Sequence, residues 1–504
     1  MTSSAIRAMP RPGPAVGRPG GGRAAHRPTA GRRPAPPETG ALPAARPGPD
    51  GTLVAGNRRI RRHRLRSDEA AGNTLLVAIL FWAMLATSVA VWVFDTPPGS
   101  LATNADVITA VGRVTGMIGG FLLIAQVILA SRMAWLEQAV GGRSLMSWHR
   151  WIGTSLLVML LAHGLFITYG FALKSNLPLL DQVKGFIAVP DLLTAIVATG
   201  ILALVGLMAI RGIRKRMRYE IWHALHLSVY GALILAYGHQ FTMGSNLTDG
   251  FGYWYWTALY ALAIAALAWG RVIDPLWFNL RHKLTVAEVV VESPASFSIY
   301  LTGRNLDRLG ARAGQYFRWR FLAGDGWWQS HPFSLSAPPN GRWLRLTVTA
   351  VGDHTRALRE LQPGTRVLAE GPSGVFTAER RTRSRALMIA VGSGISPVRA
   401  LLEEMPSNTV LIYRARTESD LALRQEIEAV AARRGMRVEY VLGRRTERGP
   451  RELSTAGGLE YLVPDIAERD VYLCGPRAFV TGTMDNLRQL GVPPRQIHLD
   501  PFEL

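Results

Sequence analysis

Six apolar stretches, near 74–94, 107–130, 148–170, 190–210, 221–243 and 253–272, constrain this chain more than any other feature. A helix rises about 1.5 Å per residue, so about twenty residues cross a hydrocarbon layer. Backbone polar groups find no water there, and a helix satisfies them internally. The sequence therefore predicts a six-helix bundle in a membrane. Composition points the same way: 48% of the 504 residues are hydrophobic and 18% charged, against about 25% charged in an average soluble chain.

Basic residues set the expected orientation. Arg58–Arg66 precedes the first stretch, Arg132 and Arg143 lie between the second and third, and Arg211, Arg214, Lys215, Arg216 and Arg218 lie between the fourth and fifth. The alternate loops carry only Lys174 and Lys184. The positive-inside rule then places both termini in the cytoplasm of a multi-pass cell-membrane protein. The net charge is +21, and +12 of it sits in residues 1–66, with 14 arginines against Glu38 and Asp50. That arm also holds 11 of the 30 prolines. It reads as a disordered basic segment that sets topology or meets anionic headgroups, and not as a nucleic-acid domain.

The texture changes after Arg281. Runs such as Thr285–Val291 and Leu344–Val351, separated by Pro, Gly and Asp turns, predict an antiparallel β-barrel. Residues 385–504 alternate short apolar runs (Ala386–Val391, Val410–Tyr413, Val471–Leu473) with helical patterns, an α/β nucleotide-binding texture. The expected organisation is an arm over 1–67, a membrane domain over 68–275, a barrel over 276–380 and an α/β domain over 381–504.

Cys474 is the one cysteine. That excludes an internal disulfide and a cysteine-held iron–sulfur cluster, so redox chemistry must use organic cofactors or histidine-held metal. Five of the eleven histidines lie in the apolar stretches: His149, His163, His223, His226 and His239. Ionisable groups inside a membrane mark function by default. His149 and His163 are 14 residues apart, which leaves them about 40° apart on one helix face and about 21 Å apart along it. His226 and His239 are 13 apart, about 140° off a common face, so a bulge or kink at Gly231 or Gly238 is expected. His149 would then meet His226 near one surface and His163 would meet His239 near the other, with His223 in reserve.

This pattern, including the odd 13-residue register, resembles the ferric reductase-like transmembrane domain of the NADPH oxidase and ferric reductase superfamily. The resemblance covers about residues 70–504. It implies two b-type haems held by His149/His226 and His163/His239.

Further motifs carry the likeness downstream. In His331-Pro332-Phe333-Ser334 an aromatic ring can cover a flavin face and a hydroxyl can reach its reactive nitrogen; the run is similar to the superfamily's flavin motif and implies FAD. Gly352-Asp353-His354-Thr355 resembles its pyrophosphate element through Gly352 and Thr355, although Thr349 stands where the family often has a basic residue. Gly371-Pro372-Ser373-Gly374 resembles a turn beside the flavin, and Phe502 resembles a C-terminal aromatic stacked on it, here followed by Glu503 and Leu504.

Gly392-Ser393-Gly394-Ile395-Ser396-Pro397 follows an apolar run and opens a helix. Its glycines let backbone approach a pyrophosphate, and Ser396 is placed to cap the helix. It resembles the ferredoxin reductase-type nicotinamide site, as does Cys474-Gly475-Pro476. Arg414 and Arg416 stand where a 2′-phosphate would lie, which favours NADPH over NADH.

The resemblance implies that electrons pass from a nicotinamide dinucleotide through FAD and two haems to an acceptor outside. His331, Phe333, Ser334 and Cys474 would sit nearest the flavin chemistry, and Arg113, near the outer end of the second stretch, would attract an anionic acceptor or superoxide beside the outer haem, pair with a haem propionate or anchor the helix at the interface. Oxidases of this type often carry a second histidine four residues beyond the outer ligand, and this chain has Ile167 there. That favours ferric iron over dioxygen. The alternatives are an oxidase making superoxide or peroxide, and a haem-bearing subunit that serves a separate partner.

Overall fold

The computed structural model describes residues 54–97, 99–244, 246–324, 326–443 and 452–502, within one compact unit, Leu53–Leu504. The reading of residues 1–53 as a disordered arm falls outside the described residues. Its remainder does not stay irregular: α1 spans Val54–Asp95 without interruption. No proline interrupts this stretch, so the turns of the span propagate back through Arg58–Arg66 at little cost.

Among the described residues, six helical segments are long and apolar enough to cross a membrane. They are the second half of α1, α2 (Asn104–Ala130), α4 (Gly142–Ser175), α6 (Pro190–Met208), α8 (Tyr219–Met243) and α9 (Gly250–Ala268) with its continuation. Short helices connect them: α3 (Ala134–Val140), α5 (Leu179–Ile187) and α7 (Arg211–Arg214). After α9 a π-helical turn at Trp269–Ile273 leads into α10 (Asp274–His282). The sixth span thus runs on to His282, and the junction expected at 275/276 falls inside a helix.

The centre of the bundle is α2, buried continuously from Gly119 to Val127. It packs closely on α4 because small residues line the seam. A Cβ on Gly116 would stand 2.5 Å from His163 Nδ1, so only glycine admits that ring.

Six strands follow: β1 (Thr285–Val291), β2 (Ser296–Thr302), β3 (Tyr316–Phe321), β4 (His331–Ser334), β5 (Leu344–Thr349) and β6 (Val367–Ser373). They form two antiparallel sheets, β1-β2-β5 and β4-β3-β6. Bridges Thr285↔Arg366 and Leu335↔Leu346 join the sheets at both edges and close the barrel. Alternate residues point inward, so Phe297, Ile299, Leu301, Phe317, Trp319 and Leu346 fill it.

The last region is a parallel sheet in the order β11-β10-β7-β8-β9: β7 (Arg385–Val391), β8 (Val410–Ala415), β9 (Arg437–Leu442), β10 (Arg469–Pro476) and β11 (Ile497–Phe502). Helices α12 (Ile395–Leu402), α13 (Arg424–Arg434) and α15 (Arg477–Gln489) cover its faces, over two separate apolar cores. Strands buried on both faces explain the continuous apolar runs.

Candidate functional site

Two pairs of imidazoles bridge α4 and α8. The His149 and His226 ring centres are 6.0 Å apart, and those of His163 and His239 are 6.4 Å apart. The bulge expected at Gly231 or Gly238 is not there: α8 is continuous. The physical reason lies in the packing. The main partner of α4 is α2 and that of α8 is α6. The imidazoles therefore span a gap between two helices, and not a tight seam. Side chains leaving α8 on different flanks can both swing into such a gap. His223 is exposed, and it is His226 that faces His149.

The rings fit a metal held from two sides. With bonds of about 2.0–2.1 Å, two imidazoles across one metal place their centres about 6.2–6.5 Å apart. His163 Nδ1 lies 2.7 Å from the Gly112 carbonyl oxygen, a hydrogen bond that orients the ring and leaves Nε2 for a metal. The Nδ1 atoms of His226 and His239 are buried without a partner. Among the described residues no three His, Cys, Asp or Glu side chains cluster. Trp222 stacks on His226 at 5.0 Å and 11°, and the Arg214 guanidinium covers Trp222 at 4.5 Å. Spacing of i, i+4 on one helix was the available signal for Trp222.

Beyond the second pair lies a cavity of about 460 Å³ lined by Asp95, Asp106, Arg113, Lys174 and Asp249, among others. Lys174 pairs with Asp106 at 2.8 Å. Arg113 makes no ion pair among the described residues. The turn of α2 that supplies Thr109, Ala110 and Arg113 to the cavity also supplies the Gly112 carbonyl to His163.

At the opposite end the barrel docks on the bundle. Tyr316 Oη donates to Glu137 Oε1 at 3.0 Å, Arg132 pairs with Glu370 at 2.8 Å, and Arg380 donates to the Gln138 carbonyl at 2.8 Å. Asn279 of α10 exchanges two bonds with the backbone of Ala369 on β6, at 2.8 and 2.9 Å. The nearer imidazole pair at this end is His149/His226.

The motifs downstream meet around the barrel mouth. Tyr316 lies in register with Ser334 on β4 and with Ser373 on β6. Pro332 is exposed, and the Phe333 carbonyl accepts from Trp319 Nε1 at 2.9 Å. Gly371, Pro372 and Ser373 end β6, and the Gly374 carbonyl accepts from Gln315 at 3.1 Å. His331 stacks on His354 at 4.0 Å, and each leaves Nε2 buried without a hydrogen-bond partner. Burial, then the His354 ring, pushes His331 down to about 4. Thr355 Oγ1 accepts from the Val351 and Gly352 amides, so it shapes the loop beside Gly352. His354 itself was not singled out from sequence, since only the fold brings it onto His331.

Gly392, Ser393 and Gly394 form the turn between β7 and α12. A Cβ on Gly394 would stand 2.4 Å from the Cys474 carbonyl oxygen, so glycine lets the turn after β7 touch the end of β10. Ser396 does not cap its helix. It lies with Ile395 and Pro397 in the first turn and donates to the Thr347 carbonyl of β5 at 2.7 Å, tying the sheet to the barrel. Cys474 is 1% exposed and its Sγ donates to the Asp500 carbonyl at 3.1 Å. Burial, then the Asp500 carboxylate, pushes this thiol well up, so it stays neutral. Gly475 and Pro476 close β10, and Ser334 Oγ reaches Asp500 Oδ2 at 3.4 Å. Arg414 and Arg416 sit at the carboxyl end of β8, where open α/β sheets bind ligands, and make no ion pair among the described residues. The Phe502 side chain falls outside the described residues.

A second link joins barrel and sheet. Arg345 of β5 pairs with Glu426 of α13 at 2.7 Å, and Arg399 of α12 meets the same carboxylate. Burial alone would raise Glu426, but the two guanidinium groups outweigh it and hold the carboxyl below its ordinary range.

Comparison with known proteins matches these regions. The model of the ferric reductase like transmembrane component covers residues 115–237, and that of the oxidoreductase NAD-binding domain covers residues 388–485. The chain is 33% identical over 235 residues to the ferredoxin reductase component of 3-ketosteroid-9-alpha-monooxygenase from Mycolicibacterium smegmatis, spanning 44% of this chain and 65% of that one. It is 30% identical over 193 residues to ferredoxin–NADP reductase B of Sorangium cellulosum, spanning 34% of this chain and 77% of that one. The FAD/NAD-binding domain of a nitric oxide dioxygenase from Vibrio cholerae superposes on 44% of this chain and 100% of its own, with a TM-score of 0.38 and 24% identity. Membrane spans and dinucleotide-binding region together make this chain a membrane oxidoreductase with the ferric reductase and NADPH oxidase-like architecture, a ferric reductase-like transmembrane component joined to a ferredoxin reductase-type FAD- and NAD(P)-binding region.

Proposed function

We propose that the protein carries electrons across the cell membrane from NAD(P)H, at the cytoplasmic end that also holds both termini, to ferric iron on the outer side. One observation carries this reading: the two imidazole pairs lie in line between the dinucleotide motifs and the charged cavity. When bound, FAD turns a two-electron hydride into single electrons, and two b-type haems supply one-electron centres across the bilayer.

The chain's own residues position these groups. His149 and His226 would hold the inner haem, and His163 and His239 the outer one, with the Gly112 carbonyl orienting His163. His331, Pro332, Phe333 and Ser334, with Gly371–Gly374, would line the flavin site. Gly392–Pro397 and Cys474–Pro476 would receive the nicotinamide, with Arg414 and Arg416 meeting a 2′-phosphate. Arg113 would draw an anionic ferric chelate towards the outer pair. Ile167 supports iron over dioxygen: it packs on Gly112, leaving no second imidazole beside the outer pair.

The test is anaerobic. The purified chain receives FAD and NADPH while its visible spectrum is recorded. Reduced low-spin b-type bands are the expected result, and ferric citrate should reoxidise them faster than oxygen does. Haem that dithionite reduces but NADPH never does would overturn the relay, and a preparation without haem would overturn the histidine assignment.

A further inference from the structure

The inner loop between α6 and α8 touches the proposed electron path only through Arg214, which covers Trp222 beside His226, yet it is built as a surface. Five cations stand within eight residues: Arg211, Arg214, Lys215, Arg216 and Arg218. Arg214 is engaged over Trp222, and Arg218 lies 3.6 Å from Glu220. Arg211, Lys215 and Arg216 are exposed and make no ion pair among the described residues. Beside them opens a groove of about 570 Å³ whose walls are mostly apolar: Met208, Ile210, Ile213 and Met217, with Gly212 and Arg216 at the edge. The loop lies at the end of the bundle where the barrel docks, but the contacts described above that seat the barrel use Arg132, Glu137 and Gln138 of the other inner loop and Asn279 of α10.

We propose that this loop is a binding site for an anionic phospholipid of the inner leaflet. Three unpaired cations meet the headgroup phosphate, and the apolar groove continuing from the end of α6 takes the upper part of an acyl chain. Charge complementarity selects the headgroup. The apolar walls select a lipid over a soluble phosphate or an acidic peptide, neither of which would bury them. Each juxtamembrane cation contributes several-fold, so three give a preference for anionic over zwitterionic lipid on the order of a hundred-fold at low salt.

The test uses the full chain in nanodiscs of phosphatidylcholine with phosphatidylglycerol. The protein is extracted in mild detergent and its retained lipid is counted by mass spectrometry. Wild-type protein should retain phosphatidylglycerol preferentially, R211Q/K215Q/R216Q should lose that preference, and R211K/K215R/R216K should keep it. If the neutral variant fails to insert, wild-type protein washed in high salt gives the same comparison, with loss of preference expected. Equal retention of both lipids by wild-type protein would overturn the proposal. So would release of the lipid by inorganic phosphate at matched ionic strength, because that marks a phosphate site without a lipid. No arm needs haem, flavin or NADPH, so the proposed electron path can fail while this site stands, and the reverse.

Discussion

The Tyr316 hydroxyl donates a 3.0 Å hydrogen bond to the Glu137 carboxylate, joining the mouth of the barrel to the loop between the second and third spans. Tyr316 stands opposite Ser334 and Ser373, so one residue joins the two segments proposed to line the flavin and the membrane bundle. Burial, then the Glu137 carboxylate, pushes its phenol up to about 12, which keeps the donor proton in place at any physiological pH.

Removing that bond should separate two steps. Hydrogen bonds to charged groups contribute about 1.5–3 kcal/mol. Tyr316→Phe or Glu137→Gln should therefore slow haem reduction about tenfold or more while flavin reduction by NAD(P)H keeps its rate. Stopped-flow spectra at flavin and haem wavelengths measure both. Equal slowing of the two would show that the contact serves the barrel itself.

Each histidine pair should account for one haem. His149→Leu or His226→Leu should remove the inner haem alone, and His163→Leu or His239→Leu the outer. Haem per protein, read by pyridine haemochrome, should fall to about half in each case. His223→Leu should leave it unchanged.

Arg414→Ala and Arg416→Ala should raise the KM for NADPH about tenfold each and leave that for NADH in place, since a charge-assisted bond to phosphate is lost only with the former. Initial rates with the two nucleotides decide it. An equal effect on both would move the 2′-phosphate elsewhere.

Glu426→Gln leaves Arg345, 3% exposed, without a carboxylate, and leaves Arg399, 1% exposed, with Glu403 alone at 2.8 Å. The loss should be about 3 kcal/mol, the low end for breaking a buried pair, because 32% of the Glu426 side chain faces solvent. Thermal unfolding checks the size. The pH sign follows from the lowered carboxyl: the unfolded chain binds more protons in acid. The stabilisation is full above the ordinary value of 4.5 and is lost as pH falls through the lower folded value. The glutamine variant should lack that acid-side slope.

Cys474 should resist iodoacetamide at pH 8 in the native protein and react once unfolded, as followed by mass spectrometry. Its thiol is buried and pushed well up, and the thiolate is the reactive form.

Sequence by itself determined the spans, the change to barrel and then α/β texture, and four membrane histidines. These follow from local periodicity, length and rare residue types, which a linear reading captures. It also marked the turn at Gly392–Gly394, because glycine lets one backbone approach another closely. Tertiary structure decided the rest. The 13-residue spacing of His226 and His239 looked like a fault in one helix, and packing made it workable by leaving a gap between α4 and α8 for both rings to enter. Ser396 suited a cap by position, and the neighbouring barrel claimed its hydroxyl instead. Tyr316 and Glu137 are 179 residues apart, Arg345 and Glu426 81 apart, and nothing local marks either pair. Such contacts depend on how separately folded layers meet. That is set by the shape and burial of whole surfaces, and no short stretch of sequence carries it.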